Sequence, residues 1–159
     1  MNNLLYPSTN PLAIEQLKLA SGEGIYVKDN NGKEYLEGMS GLWCTSLGYN
    51  NQELIEAVTK QLETFPFGHM FGGKTHQVAI DLADKLAGMV DIEGAKVFFG
   101  SSGSDANDTL VKIVCYYNQM RGKLVKNKIM SSNNAYHGVS LASASLTGLP
   151  VFHTNFNLP

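Results

Sequence analysis

The sequence has few of the features that mark disulfide-rich, metal-binding or nucleic-acid-binding proteins. It contains only two cysteines, Cys44 and Cys115, at no CxxC spacing, so neither a disulfide framework nor a zinc site is expected. The four histidines also fall at no metal-ligand spacing, and we expect no metal site. The 12 basic and 14 acidic residues give a net charge of −2. That balance lacks the basic surplus with which proteins bind nucleic acid.

Long apolar segments are missing as well. No run of eighteen apolar residues occurs, and Met1–Leu5 lacks the basic flank and apolar core of a signal peptide. We therefore expect no membrane partner and a cytoplasmic protein. The 159 residues, 43% of them hydrophobic, suffice for one compact domain with a core.

Apolar periodicity and turn residues predict an alternation of strands and helices. Residues 22–37 are predicted to form two strands joined at Asp29–Gly32, where Asn and Gly supply the positive φ values of a tight turn. The elements predicted after this hairpin are a helix from Asn51 to near Pro66, a helix from Thr75, a buried strand Val97–Phe99, a helix Asp105–Met120, a strand Lys128–Met130 and a helix Val139–Leu146. This order indicates the α/β class, with a parallel sheet that is incomplete because two strands are too few.

The segment Val97–Asp108 joins an apolar run, a turn of small residues and a helix start. Such a turn lets the backbone approach a ligand, and the free N–H groups at the positive end of the helix favour a phosphate. The hydroxyls of Ser102 and Ser104 can donate as well. An ordinary helix N-cap has the same pattern, and the spacing matches neither a dinucleotide fingerprint nor a P-loop. The segment alone therefore leaves a phosphate site and a plain cap equally open.

Further motifs lie downstream at Lys128–Ser132, Ala135–Gly138 and Ser143–Pro150 and, nearer the N-terminus, at Gly22–Glu37. Together with Val97–Asp108, these motifs resemble the class III pyridoxal-phosphate-dependent aminotransferases. Gly41–Cys44 and Leu47–Tyr49 are similar to the ω-amino-acid:pyruvate branch. The resemblance runs from about Pro11 to Pro159.

The resemblance implies fold type I, the aspartate aminotransferase-like fold of pyridoxal-phosphate-dependent transferases. Residues 1–74 would form a small N-terminal lobe with the hairpin and the first helix, and residues 75–159 would begin the large cofactor-binding domain. Members of the family are more than twice this long, so the chain is expected to be an N-terminal fragment with a truncated large domain.

The cofactor implied by the resemblance is pyridoxal 5'-phosphate. Its phosphate would lie at Ser102, Gly103 and Ser104, its ring would stack on Tyr136, and His137 and Gly138 would complete that loop. Without the resemblance, Tyr136 is more simply a half-buried loop aromatic.

Other residues near these motifs have simpler expected roles. Asp105 is expected to cap the helix and to hold nearby loops by hydrogen bonds. Asn107 and Asp108 are expected to be solvated residues of the first turn.

Two aromatic residues nearer the N-terminus are implied to contact the substrate. A lone tryptophan such as Trp43 is usually a core residue, but in the ω-amino-acid branch this aromatic lines the substrate pocket. Phe71, in the loop His69–His76, would reach the active site of the partner subunit of a homodimer.

The implied function is transfer of an amino group from an ω-amino acid or amine to pyruvate or another oxo acid. One alternative is the diaminopelargonate-forming transaminase of the same family, because residues Met70–His76 resemble a loop of that enzyme. Others are a non-catalytic dimerisation fragment and a general module that binds phosphate ligands.

The family's Schiff-base lysine and its acidic partner of the pyridine nitrogen lie past Pro159 in this resemblance. We therefore predict that the 159-residue chain mixed with pyridoxal phosphate shows neither the visible absorbance of a lysine-bound cofactor nor transaminase turnover, because the covalent link and the proton-transfer base are both missing. Pyruvate-dependent turnover that is abolished by changing one of the chain's own lysines would contradict this.

Overall fold

The computed structural model describes residues 3–7, 9–10 and 12–158. The chain divides into two compact units, Met1–Gly72 and Gly73–Pro159. The break lies beside the boundary expected between residues 74 and 75. No helix in the described ranges is long and apolar enough to cross a bilayer.

The first unit contains a three-stranded antiparallel sheet. Its strands are β1 (Leu19–Glu23), β2 (Tyr26–Asp29) and β3 (Glu34–Leu36), in the order β1-β2-β3. The sequence predicted the β2–β3 hairpin but missed β1. The segment predicted as one strand from Gly22 reverses direction at Gly24, whose φ of 55° suits glycine, so that Glu23 pairs with Tyr26.

Asp29 holds the turn between β2 and β3. Its carboxylate accepts hydrogen bonds from the N–H groups of Asn31 (2.8 Å) and Lys33 (3.0 Å) and from the hydroxyl of Tyr35 (3.0 Å). Burial alone would raise the pKa of the Asp29 carboxyl, but these hydrogen bonds outweigh burial and lower the pKa. The ionised side chain therefore fixes the hairpin that the sequence predicted.

Residues Ser40–Trp43 form a left-handed helical turn. Their φ values are 49° at Ser40, 57° at Gly41, 60° at Leu42 and 69° at Trp43. Left-handed backbone costs a non-glycine residue about 1–2 kcal/mol, and runs of several such residues are rare. Contacts outside the turn must therefore stabilise it.

The first unit ends with helix α1 (Gln52–Thr64). As predicted, Asn51 is its N-cap, and the side chain accepts a hydrogen bond of 3.1 Å from the N–H of Leu54. The predicted apolar stripe is present at Leu54, Ile55, Val58 and Leu62, but all four side chains are exposed.

The second unit contains three α-helices among its described residues. They are α2 (Gln77–Ala87), α3 (Gly103–Met120) and α4 (Leu141–Leu146), followed by a 3-10 turn at Pro150–Phe152. Each helix lies within two residues of its predicted start, and α3 begins two residues earlier than predicted because Ser102 is its cap.

The prediction of parallel strands at Val97–Phe99 and Lys128–Met130 is wrong for this structure. Neither segment is assigned as a strand, and Phe98 is exposed rather than buried. A strand exists through hydrogen bonds to a neighbouring strand, and the described chain offers these two segments no such neighbour.

The hydrophobic content that would suffice for a domain core does not form an extensive core in the described residues. Among the described residues, the buried hydrophobic side chains are only those of Val27 and Ala144. Most apolar stripes on the helices face outward.

A close contact inside the first unit yields a prediction. Tyr49 pairs with Gly24 through two backbone hydrogen bonds of 2.8 and 3.0 Å, and a Cβ added at Gly22 would lie 2.6 Å from Cγ of Tyr49. We expect Gly22→Ala to lower the free energy of unfolding by about 1–3 kcal/mol through overpacking. Gly38→Ala is the matched control, since its Cβ meets nothing within 4 Å. Equal losses in denaturant unfolding would contradict the prediction.

Candidate functional site

Helix α3 starts at a turn that is held from both sides. The hydroxyl of Ser102 accepts a hydrogen bond of 3.1 Å from the N–H of Asp105, so Ser102 is the N-cap. The Asp105 carboxylate in turn accepts hydrogen bonds from the N–H (2.9 Å) and the hydroxyl (3.3 Å) of Ser101. Asp105 therefore holds the neighbouring loop as expected, whereas the cap itself is Ser102.

Donors remain free at this turn. The N–H groups of Gly103 and Ser104 are the first two of the helix and have no acceptor within it. No other partner for them exists in the described part of the chain. A Cβ built on Gly103 meets nothing within 4 Å, so the space beside it is open. The Ser104 oxygen accepts the N–H of Val139 at 3.0 Å, which leaves the hydroxyl proton available to a ligand. The turn thus offers three donors at the positive end of an 18-residue helix.

The loop containing Tyr136, His137 and Gly138 is fastened to this turn. Besides the bond from Val139 to Ser104, the side-chain amide of Asn107 donates to the carbonyl of His137 at 2.6 Å. A Cβ added at Gly138 would lie 2.5 Å from the Ser104 hydroxyl oxygen, and the φ of Gly138 is 130°. Only glycine fits there. The structure therefore brings the Ser102–Ser104 turn and the loop at His137 and Gly138 together, and the roles of these residues at a cofactor stay a prediction.

Thr147 supports the same loop from beneath. It is fully buried, and its hydroxyl accepts the N–H of His137 at 2.9 Å and donates to the carbonyl of Gly138 at 2.9 Å or of Ser143 at 3.1 Å. The imidazole of His153 is hydrogen-bonded to the carbonyl of Thr147. Sequence reasoning did not single out Thr147.

Tyr136 is 55% exposed, and its ring packs against Phe152, with ring centroids 5.6 Å apart at an angle of 58°. One neighbour therefore orients the ring while much of its surface stays accessible.

The expectation that Asn107 and Asp108 are solvated residues is wrong. Asn107 binds the loop 30 residues away, and the Asp108 carboxylate accepts a hydrogen bond of 2.8 Å from the N–H of Ser143 at the start of α4. Burial would raise the pKa of the Asp108 carboxyl, but the hydrogen bonds from Ser143, Ser140 and Ala142 lower it overall. Asn107 and Asp108 lie three and four residues after Ser104. This spacing was an available signal, because it places the three residues on the same helix face.

Trp43 and Phe71 belong to the first unit. Each is 81% exposed, so the interpretation of Trp43 as a core residue does not hold. Phe71 has the ring of His69 beside it, with centroids 6.4 Å apart. Within the described ranges, no group of three metal-binding side chains occurs.

Thr147 provides a test of the loop geometry. Thr147→Val keeps the shape but leaves the N–H of His137 and the carbonyl of Gly138 without this partner, and we expect a loss of about 1–3 kcal/mol in unfolding free energy. Thr147→Ser keeps the hydroxyl and is the matched control, with a smaller loss expected. Denaturant unfolding of the chain measures both, and a serine variant as unstable as the valine variant would contradict the role of the hydroxyl.

Comparison with known proteins places this geometry in a family. The sequence model described as Aminotransferase class-III matches residues 10–158. Vanillin aminotransferase of Capsicum annuum is 50% identical over 147 residues, which are 92% of this chain and 32% of that protein. Gamma aminobutyrate transaminase 1, mitochondrial, of Solanum lycopersicum is 48% identical over 147 residues, which are 92% of this chain and 28% of that protein. The chain thus spans about a third of the length of the curated relatives it matches.

Solved structures of transaminases are similar to this chain as well. The omega transaminase from Pseudomonas jessenii in complex with PMP has a TM-score of 0.94 and 49% identity, over 98% of this chain and 35% of that one. A thermostable omega transaminase variant has a TM-score of 0.94 and 48% identity, with the same coverage. It carries substitutions of a tryptophan, of a phenylalanine 28 positions further on and of an arginine, and is described as engineered for asymmetric synthesis of enantiopure bulky amines.

The predicted α/β class and fold type I are confirmed by these solved transaminases. Because the family model covers nearly the whole chain and the structural relatives align over almost all of it, this chain belongs to the class III aminotransferases.

Proposed function

We propose that the protein transfers an amino group from an ω-amino acid or an amine to pyruvate or another oxo acid. The observation that carries the proposal is the open turn at the start of α3, with three free donors and the loop of Tyr136 fastened against it. Class III aminotransferases depend on pyridoxal phosphate, and a solved relative holds its amine form, PMP.

The residues of this chain fit the cofactor. The N–H groups of Gly103 and Ser104 and the Ser104 hydroxyl suit a phosphate dianion at a helix N-terminus. The accessible ring of Tyr136 suits a stacked pyridine ring. When bound, the cofactor supplies the electron sink for moving the amino group. The chain's own part is to hold the phosphate, to stack the ring and to keep the loop at His137 and Gly138 fixed.

The donor class is supported by the relatives. Gamma-aminobutyrate carries its amino group at the end of the chain, as ω-amino acids do, and one relative is named as a gamma aminobutyrate transaminase. Trp43 and Phe71 lie 28 positions apart, the same spacing as the tryptophan and phenylalanine replaced in the variant engineered for bulky amines. We therefore assign both side chains to the substrate pocket, Phe71 through the partner subunit of a homodimer.

The second candidate is the diaminopelargonate-forming transaminase, which the resemblance of loop Met70–His76 favours. A donor survey separates the two, since the first predicts turnover of simple amines and ω-amino acids with pyruvate. The cytoplasmic location stays a prediction.

Substitution of Trp43 tests the proposed function in the complete protein. We expect Trp43→Gly to raise the ratio of kcat/KM for a bulky amine to kcat/KM for a small one by about tenfold or more, because a pocket contact of this size discriminates by at least that factor. Pyruvate is the acceptor, and Leu47→Ala, a change of another exposed apolar residue in the same segment, is the control.

An unchanged ratio in Trp43→Gly would contradict the assignment of Trp43. Absence of pyruvate-dependent turnover with every amine and ω-amino acid tried would contradict the proposed function itself.

A further inference from the structure

We propose that Glu37 is a positioning residue, which fixes the left-handed turn Ser40–Trp43 and thereby sets the direction in which Trp43 meets the amine substrate. The link to substrate rests on the proposed function, whereas the role of Glu37 in the turn does not.

The turn is closed at its C-terminal end by its own backbone. The N–H groups of Trp43, Cys44 and Thr45 donate to the carbonyls of Met39 and Ser40, each at 2.8 Å. These bonds form one tight turn but leave the N–H groups at its beginning without a backbone acceptor.

Glu37 supplies the missing acceptors. One carboxylate oxygen accepts the N–H of Met39 at 2.8 Å, and the other accepts the N–H of Gly41 at 2.6 Å. Hydrogen bonds to an ionised acceptor are roughly twice as strong as neutral ones. The carboxylate therefore stabilises both the entry to the turn and its first half, where φ becomes positive.

The position of Glu37 is itself defined by the sheet. Its N–H donates to the carbonyl of Ile25 at 2.9 Å, in the turn between β1 and β2. The Tyr49 hydroxyl donates a hydrogen bond of 3.4 Å to the Glu37 carboxylate, and Tyr49 is paired with Gly24 of the same turn. Glu37 thus connects the rigid hairpin to the strained turn.

Trp43 depends on this connection because its ring has little else to orient it. Trp43 is 81% exposed, and the described residues give its ring no aromatic or cationic partner. Beneath the turn, the Thr45 hydroxyl oxygen is buried without a hydrogen-bond partner in the described part of the chain. The left-handed backbone of Ser40–Trp43 is strained, and such strain persists only where surrounding contacts determine it.

The role of Glu37 in the turn can be measured directly through the ionisation of its carboxyl group. The hydrogen bonds from Gly41 and Met39 lower the pKa of the Glu37 carboxyl despite an opposing effect of burial. Tyr49 is the one titratable side chain hydrogen-bonded to it among the described residues.

The first experiment is a pH titration of the 159-residue chain by amide NMR. We expect the N–H resonances of Met39 and Gly41 to shift together, with one transition below the usual glutamate range, and to lose that transition in Glu37→Gln. The indole N–H of Trp43, the only tryptophan, should follow the same transition. The matched control is Glu34→Gln, whose carboxylate pairs with exposed Lys28 at 3.6 Å and should leave these shifts unchanged. Amides that do not titrate, or that titrate alike in Glu37→Gln, would overturn the proposal.

The second experiment measures substrate selection in the complete protein. We expect Glu37→Gln to shift the bulky-to-small amine ratio of kcat/KM at least threefold towards that of Trp43→Gly, and Glu37→Asp to restore most of it. The double variant should add little to Trp43→Gly, because the two residues act as one unit.

The two failures are distinguishable. A ratio that responds to Trp43→Gly but not to Glu37→Gln overturns the positioning role. A ratio that responds to neither variant contradicts the proposed role of Trp43 in the pocket, while the NMR titration still decides whether Glu37 holds the turn.

Discussion

Backbone polar groups that leave regular structure still need partners, and the candidate site depends on how residues 137–139 obtain theirs. The N–H and carbonyl of His137, the carbonyl of Gly138 and the N–H of Val139 are all bound by side chains. Those side chains come from α3 and from the end of α4. The loop is thereby fixed over the start of α3 without a strand beneath it.

Carboxylates that accept backbone N–H groups recur in both units. Asp29 holds a hairpin, Glu37 a left-handed turn, Asp105 the loop before α3 and Asp108 the start of α4. For Asp29, Glu37 and Asp108 the pKa is lowered in the folded chain, so their stabilisation is present above the ordinary carboxyl pKa. It is lost as the pH falls through the lowered values. Acid is therefore expected to weaken turns and helix starts together.

Features whose causes are local could be predicted from the sequence. The hairpin turn at Asp29–Gly32, the cap at Asn51 and the turn before α3 all depend on partners within about four residues. The strands Val97–Phe99 and Lys128–Met130 were wrongly predicted because an apolar run becomes a strand only through distant neighbours. Asn107 and Asp108 were misinterpreted for the same reason, since their partners lie 30 and 35 residues away. The left-handed turn gave almost no signal, because only Gly41 of its four residues favours that backbone.

The Ser104 hydroxyl has one further consequence. Its oxygen accepts the N–H of Val139 while its proton remains free, so the group stands between the loop and whatever anion binds at the helix start. A hydroxyl that donates a hydrogen bond becomes a better acceptor, since bonds in a chain polarise one another. Binding of a phosphate and ordering of the loop are therefore thermodynamically coupled, and each raises the equilibrium constant of the other by the same factor.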